Sequence, residues 1–379
     1  MKAFLCPCLF ILLLCNACTK STAPRLYGQG GVPADKDASP ETRSLLVNLW
    51  QQKSGGILFG HQDSLAYGIG WRGGAFSSDV EKVSGKFPAV FGWDLGEIGQ
   101  EQNIDRVRFD EMRQWIIAVY ERGGINTLSW HLDNPVTGGD AWDVTPAVHR
   151  ILPGGENHEA FKQTLDTLAT FLESLKTAEG TAVPVIFRPW HELNGDWFWW
   201  GESSCSADEY KQLYKFTVNY LTEEKDLHNL LFCFSPDVVA SEKAYLARYP
   251  GDEVVDILGL CDYTSFTEGA SGFEALRIVA ELAKERQKPF VLAETGVDQL
   301  QAADWWTESL LRPINADPLS RQVSYILVWR NATLDHFYAP YPGHLAAENF
   351  VAFAKDPNTR FLRDLPDMYR IHPSQPVSK

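Results

Sequence analysis

The sequence predicts an α/β fold, a single (β/α)8 TIM barrel, on three observations. Eight short runs of continuous apolar residues recur along the chain. Amphipathic stretches with apolar residues at three-four spacing lie between them. Nearly every run ends in a polar or aromatic group. Continuous apolarity, rather than alternation, suits a parallel strand covered on both faces. Strand and helix alternating eight times close naturally as a barrel.

The runs are 57–63, 88–96, 124–135, 184–194, 230–237, 255–264, 289–296 and 325–331. Helices are expected over 105–121, 158–176, 207–224 and 273–287, where the apolar spacing is helical. No internal repeat or second-domain linker interrupts the pattern, so residues 39–379 are read as one domain. The strand-end groups are His61, Asp94, His131, His191 with Glu192, Asp237, Tyr263, Glu294, and Trp329 with Arg330. In this architecture catalytic groups gather at that rim, supplied by several strands. A lone His or Asp there is commonly a satisfied polar group or a cap, but the pattern across eight strands points to a site.

Residues 1–18 are a separate object. Lys2 gives a positive start, Ala3 to Leu14 is almost wholly apolar, and Cys15-Asn16-Ala17-Cys18 follows. This reads as an export signal, too short for a stable membrane span. A small residue directly before a cysteine resembles a bacterial lipoprotein signal with Cys18 as the lipidated residue, although Cys15 stands where such signals usually carry Leu. Residues 19–38, rich in Ser, Pro, Gly and Lys, read as a tether. The expectation is export through the inner membrane and a lipid anchor in the outer membrane, on its periplasmic side or at the cell surface. The lipid on Cys18 would be the only membrane contact.

The net charge of -15 argues against nucleic acid or anionic membrane surfaces as partners. The 13 Trp and 13 Tyr suit sugar-ring stacking, though aromatics also simply fill cores. Seven cysteines shrink to three beyond the signal: Cys205, Cys233 and Cys261. Cys233 and Cys261 sit in apolar runs and are expected to be buried small hydrophobes. No spacing suggests a disulfide framework or a zinc site, so neither metal nor cofactor is expected. The chain is read as a monomer.

Glu192 ends the fourth run, in Arg188-Pro189-Trp190-His191-Glu192-Leu193-Asn194-Gly195, and Glu294 ends the seventh, in Leu292-Ala293-Glu294-Thr295-Gly296. Both carboxylates are delivered from dry strands, where an unpaired charge is costly. Arg188 or Arg330 could partner them structurally. The chemical reading is retaining glycoside hydrolysis, which needs two carboxyl groups about 5–5.5 Å apart. One protonates the leaving oxygen while the other attacks the anomeric carbon. Proximity raises the pKa of the acid, and the nucleophile stays ionised.

The local motifs resemble glycoside hydrolase family 26, chiefly β-mannanases, within the large clan of barrel glycosidases. The resemblance rests on RPWHELNGDWFWWG (188–201), SWHLDNP (129–135), FGWDLG (91–96), ETG (294–296) and VWRN (328–331). It runs from about His61 to the end of the eighth strand. It implies cleavage of β-1,4-mannosidic linkages in mannan, galactomannan or glucomannan by double displacement, with Glu192 as acid/base and Glu294 as nucleophile. It implies that His131, His191, Trp197, Tyr263, Trp329 and Arg330 line the subsites around the cleaved bond. The residues themselves suggest compatible roles: Trp197 as a stacking wall, Trp142 as another, and Tyr263 as a hydrogen-bond donor to the nucleophile. Trp142 and Trp200 remain open between sugar contact and packing. The sequence departs from the family where Cys261 replaces a frequent acidic residue and Leu193 a commoner Met.

Two rival readings follow. The same carboxylates would serve mixed-linkage β-glucan or β-1,3-xylan. A non-catalytic glycan-binding lipoprotein would be expected to have lost a glutamate, and both are present.

Overall fold

In the computed structural model, eight strands close the barrel the sequence predicts. The structure describes residues 31–52, 55–74, 76–267 and 273–371, together with Met1. The expected export signal and its Cys18 lie outside these residues, Met1 aside. The strands are Ile57–Gln62 (β1), Val90–Asp94 (β2), Ile125–Ser129 (β3), Val185–Arg188 (β4), Leu230–Phe234 (β5), Ile257–Asp262 (β6), Phe290–Thr295 (β7) and Tyr325–Val328 (β8). Each pairs in parallel with the next, and β8 returns to β1 through the register Leu58↔Tyr325 to His61↔Val328. Every residue of these eight strands is buried, which is why the runs read as continuously apolar.

The two faces of the sheet feed two cores. Leu58, Val90, Ile125, Ile186, Leu231, Ile257, Val291 and Leu327 fill the barrel interior. Leu45, Leu46 and Leu49 of the helix Pro40–Gln52 close its floor with Met368 and Tyr369. Phe59, Phe91, Leu128, Phe187, Phe232, Leu258, Leu292 and Ile326 face the outer helices. At its mouth the barrel carries polar groups instead.

Three sequence boundaries move. The helix expected over 105–121 begins at Phe109. Asn103 Oδ1 accepts from the amides of Asp105 and Val107, holding that segment as a turn and freeing the Asp105 side chain. The stretch expected over 207–224 is a helix to Asn219, followed by a π-helical turn to Glu224. The tether expected to reach residue 38 is docked from Ala34 onward. The Ala34 amide donates to Asp256 Oδ1 at 2.6 Å, and Asp35 meets His228 Nδ1 at 2.8 Å. Among the described residues no helix is long and apolar enough to cross a membrane.

Candidate active site

β4 stops at Arg188, and Pro189 cannot donate a ladder hydrogen bond. The chain then turns through two left-handed residues, Trp190 at φ 55° and Glu192 at φ 54°. Such non-glycine conformations cost about 1–3 kcal/mol each and persist only where surroundings enforce them. Here Trp190 Nε1 donates to Thr217 Oγ1, Tyr210 Oη donates to the Trp190 carbonyl, and Trp200 Nε1 donates to the His191 carbonyl. The Glu192 amide donates to the Ser235 carbonyl. Thr217 and Tyr210 belong to the helix Ala207–Asn219, whose start is fixed by a capping box between Ser206 and Glu209. Local sequence thus builds the clamp that aims Glu192.

Glu294 is aimed differently. Pairing runs Leu260↔Leu292 and then Cys261↔Glu294, so Ala293 is an extra residue in β7; the β8 side shows the same slip. Without this bulge Glu294 would alternate outward toward the helices. With it, Glu294 shares the inner face of Cys261.

The two carboxyl groups converge. One oxygen from each of Glu192 and Glu294, together with Cys261 Sγ, lie within 4.8 Å of one another. Their environments differ. Glu294 accepts from Arg188 on one oxygen and from Tyr263 Oη, at 2.7 Å, on the other. Glu192 accepts from Trp197 Nε1 at 2.9 Å. Burial, then the Glu294 charge, then Asp237, push the Glu192 carboxyl up to about 8. Burial and the neighbouring Glu294 lift the Tyr263 hydroxyl far above its usual range, so it stays a neutral donor. A metal at Glu192, Cys261 and Glu294 would meet the Arg188 guanidinium, which already engages Glu294 and faces Cys261 Sγ at 3.6 Å. The arrangement suits an organic substrate between an acid and a carboxylate better than a cation.

Beside this pair, Asp94 at the end of β2 accepts from Ser129 Oγ, the Gly96 amide and His131 Nδ1. Burial opposes its charge, but His131 and these donors prevail and bring it down to about 2. Burial likewise opposes charge on His131, and the facing Asp94 raises its pKa regardless. His191 is pushed well below the usual imidazole range by burial, Arg188 and His131. The two imidazoles meet Nε2 to Nε2 at 3.2 Å. His191, 1% exposed against 6% for His131, is the deeper of the two.

Trp142, half exposed at 50%, stacks on His131 with centroids 5.3 Å apart and planes 14° apart. Trp329 meets the same imidazole edge-on at 6.2 Å. Trp197 stands partly open. Trp200 is sealed and stacks on Phe198, so of the two tryptophans left open by sequence, Trp142 faces outward and Trp200 packs. The loops after β3 and β4 brace each other: the Trp199 amide donates to Ala141 O, and Ser204 Oγ to Val144 O.

Most predicted site residues therefore come together: Glu192, Glu294, Tyr263, Trp197, His131, His191, Trp142 and Trp329. Arg330 partners neither glutamate; it pairs with Asp105 at 2.9 Å. His61 is buried against Ser64 Oγ at 3.1 Å, burial taking it down to about 4. Sequence reasoning missed Phe198, which touches His131, His191, Trp142 and Trp197, and the cluster of Asp63, Tyr67 and Asp105 around Arg330. Phe198 lies within the tryptophan-rich segment 197–200, which could have flagged it. Cys205, Cys233 and Cys261 are all free and buried.

Comparison with known proteins adds to this geometry. The solved structure of a GH26 β-mannanase from Bacteroides ovatus superposes with a TM-score of 0.84 at 45% identity, covering 88% of this chain and 98% of that one. A mannan endo-1,4-β-mannosidase from Bifidobacterium adolescentis is 38% identical over 69% of this chain and 28% of its own length. Another, from Bacillus subtilis strain 168, is 32% identical over 57% of this chain and 60% of its own. The chain thus spans less than two thirds of these two relatives. Residues 34–293 match Glycosyl hydrolase family 26, the match ending one residue before Glu294, and the chain belongs to that family.

Proposed function

We propose that the chain hydrolyses β-1,4-mannosidic linkages in mannan, galactomannan or glucomannan with retention of anomeric configuration, Glu192 acting as acid/base and Glu294 as nucleophile. One observation carries this reading: two carboxyl groups with oxygens within 4.8 Å of one another, held in opposite environments. That separation suits a covalent glycosyl intermediate better than a water-filled inverting gap of about 6.5–9.5 Å. The names of the relatives supply the choice of mannan.

In the first step Glu294 attacks the anomeric carbon, and the protonated Glu192 gives its proton to the departing oxygen. Forming the ester removes the Glu294 charge that holds the Glu192 pKa up. Glu192, now more acidic, takes a proton from water as the water attacks, and Glu294 leaves as a carboxylate. Tyr263 and Arg188 fix the Glu294 oxygens during attack. Trp142 and Trp197 offer faces for sugar rings.

Proton NMR of the first products reads the anomer released, and retention is expected. Inversion would overturn the mechanism. Glu192→Ala should be nearly inactive on polymer, active on an aryl mannoside with a good leaving group, and partly restored by azide. Glu294→Ala should fail on both, and equal residual activity in the two variants would undo the roles. Substrate choice is tested on linear mannan, galactomannan, lichenan and β-1,3-xylan, with cleavage of the first two expected. Activity confined to lichenan or xylan would discard mannan and keep the glutamates.

We also infer that Cys18 carries a lipid and anchors a monomeric enzyme to the outer membrane. The apolar leader and the small residue before Cys18 support this. Cells expressing the full chain should incorporate an alkynyl fatty acid into it, and Cys18→Ala should abolish the label. An unlabelled, soluble wild type would remove the anchor.

A further inference from the structure

The barrel mouth holds a second pair of carboxyl groups that the proposed chemistry does not use. Asp63 follows β1 in a left-handed conformation, φ 52°. Asp105 lies on the loop after β2, in the turn organised by Asn103. Both are buried, and the two carboxyl groups lie close enough to influence one another's charge, joined through Tyr67 and Arg330, whose Nη1 donates to Tyr67 Oη at 3.4 Å. Tyr67 Oη donates to Asp63 Oδ2, and Arg330 Nη2 pairs with Asp105 Oδ1 at 2.9 Å. Asp63 Oδ1 and Asp105 Oδ2 remain, both buried and without a protein donor.

Two buried carboxylate oxygens without donors are costly, and two like charges side by side are costlier. A single proton removes both problems, because the protonated carboxyl donates to its neighbour. It also balances the cluster: one carboxylate, one neutral acid and one guanidinium. Arg330 is the member open to solvent, its side chain 23% exposed against 5% for Asp105.

We propose that Asp63 and Asp105 share one proton and act together as positioning residues that hold Arg330 at the rim for sugar hydroxyls. This rests on the reading of the chain as a β-mannan hydrolase. Burial first, and then the Asp105 charge, raise the Asp63 pKa well above normal; burial raises Asp105 against the pull of Arg330. Asp63 also faces Tyr67, Arg330 and Asp94, and Asp105 also faces Asp94 and His131. When the shared proton leaves at alkaline pH, a second full negative charge faces Arg330 and draws it from the cleft.

The test is steady-state kinetics on β-1,4-mannohexaose with Asp63→Asn and Asp105→Asn, across about pH 5 to 9. Asp105→Asn removes the charge facing Arg330 and should raise KM about tenfold with kcat little changed. Asp63→Asn keeps a donor where the protonated carboxyl stood. It should raise KM by much less and abolish the alkaline rise in KM expected of the wild type. Equal damage from the two variants, or a loss confined to kcat, would overturn the proposal. A second readout needs no substrate. Carboxyl-carbon NMR of the wild type should show one aspartic acid still protonated at neutral pH, titrating lower in Asp105→Asn. Its absence would rule out the shared proton even in an active enzyme. Failure of the wild type on mannan would instead sink the substrate reading, while the NMR result still decides the proton.

Discussion

Arg188 and Glu294 form an ion pair almost sealed from solvent, their side chains 3% and 5% exposed. The bulge at Ala293 brings Glu294 to the inner face, and the guanidinium rising from β4 meets it there. Arg188 also donates to Ser235 Oγ at 3.3 Å.

Removing one partner of such a pair strands a buried charge and typically costs about 3–5 kcal/mol. Arg188→Met should lose about that much stability in urea unfolding. Arg188→Met combined with Glu294→Gln should recover most of it, because neither charge is then left alone. Additive losses in the double variant would show that the pair is not coupled.

Glu192 links activity to pH. Its carboxyl is raised from 4.5 to about 8 by burial, Glu294 and Asp237. Under the proposed mechanism the first chemical step needs it protonated, so kcat/KM should fall as pH rises through about 8. Trp197 donates to Glu192 and lowers its pKa, so Trp197→Phe should move that limb to higher pH. An unmoved limb would mean another group governs it.

The same shift makes Glu192 a cost to the fold. A carboxyl with a raised folded pKa favours folding fully only below its unfolded value, and that contribution is lost as pH rises through the folded pKa. Stability should therefore fall between about 4.5 and about 8. Glu192→Gln should melt higher than wild type at pH 8, with the gap closing toward pH 5. A constant gap across that window would detach the effect from titration.

Trp142 is the clearest exposed apolar surface near the carboxyl pair, resting on His131. A ring so placed gives little to the core. Trp142→Ala should leave the unfolding free energy within about 0.5 kcal/mol of wild type and raise KM for mannan oligosaccharides. A large loss of stability with unchanged KM would return Trp142 to packing.

The barrel was legible because its strands are buried on both faces and so read as unbroken apolar runs. Glu192 and Glu294 were legible because each closes such a run. How they are aimed was not. A bulge at Ala293 leaves no mark on a run that stays apolar through it, and nothing in Trp190 or Glu192 announces a left-handed backbone. Arg188 and Arg330 were alternative partners for the glutamates by sequence; Arg188 engages Glu294, and Arg330 pairs with Asp105 instead. The loop of Asp105 looked helical by spacing, and only the side-chain hydrogen bonds of Asn103 pull it out. The contacts of Arg330, after β8, with Tyr67 and Asp105, after β1 and β2, depend on closure, which periodicity does not encode.

The strained turn before Glu192 makes the last expectation sharp. Tyr210 is sealed, and its hydroxyl donates to the Trp190 carbonyl at 2.9 Å, the residue where the left-handed turn begins. Tyr210→Phe keeps the ring and its packing but frees that carbonyl. Losing the bond should cost about 1 kcal/mol of stability. The effect on catalysis should exceed what this implies, because the bond opposes relaxation of Trp190 and with it the aim of Glu192. We expect kcat on mannan to fall about tenfold while activity on an aryl mannoside with a good leaving group, which under the proposed roles needs no proton from Glu192, falls little. Equal losses on the two substrates would mean that the whole site has shifted, and no loss on either would mean that Trp200, Thr217 and Ser235 hold the turn without Tyr210.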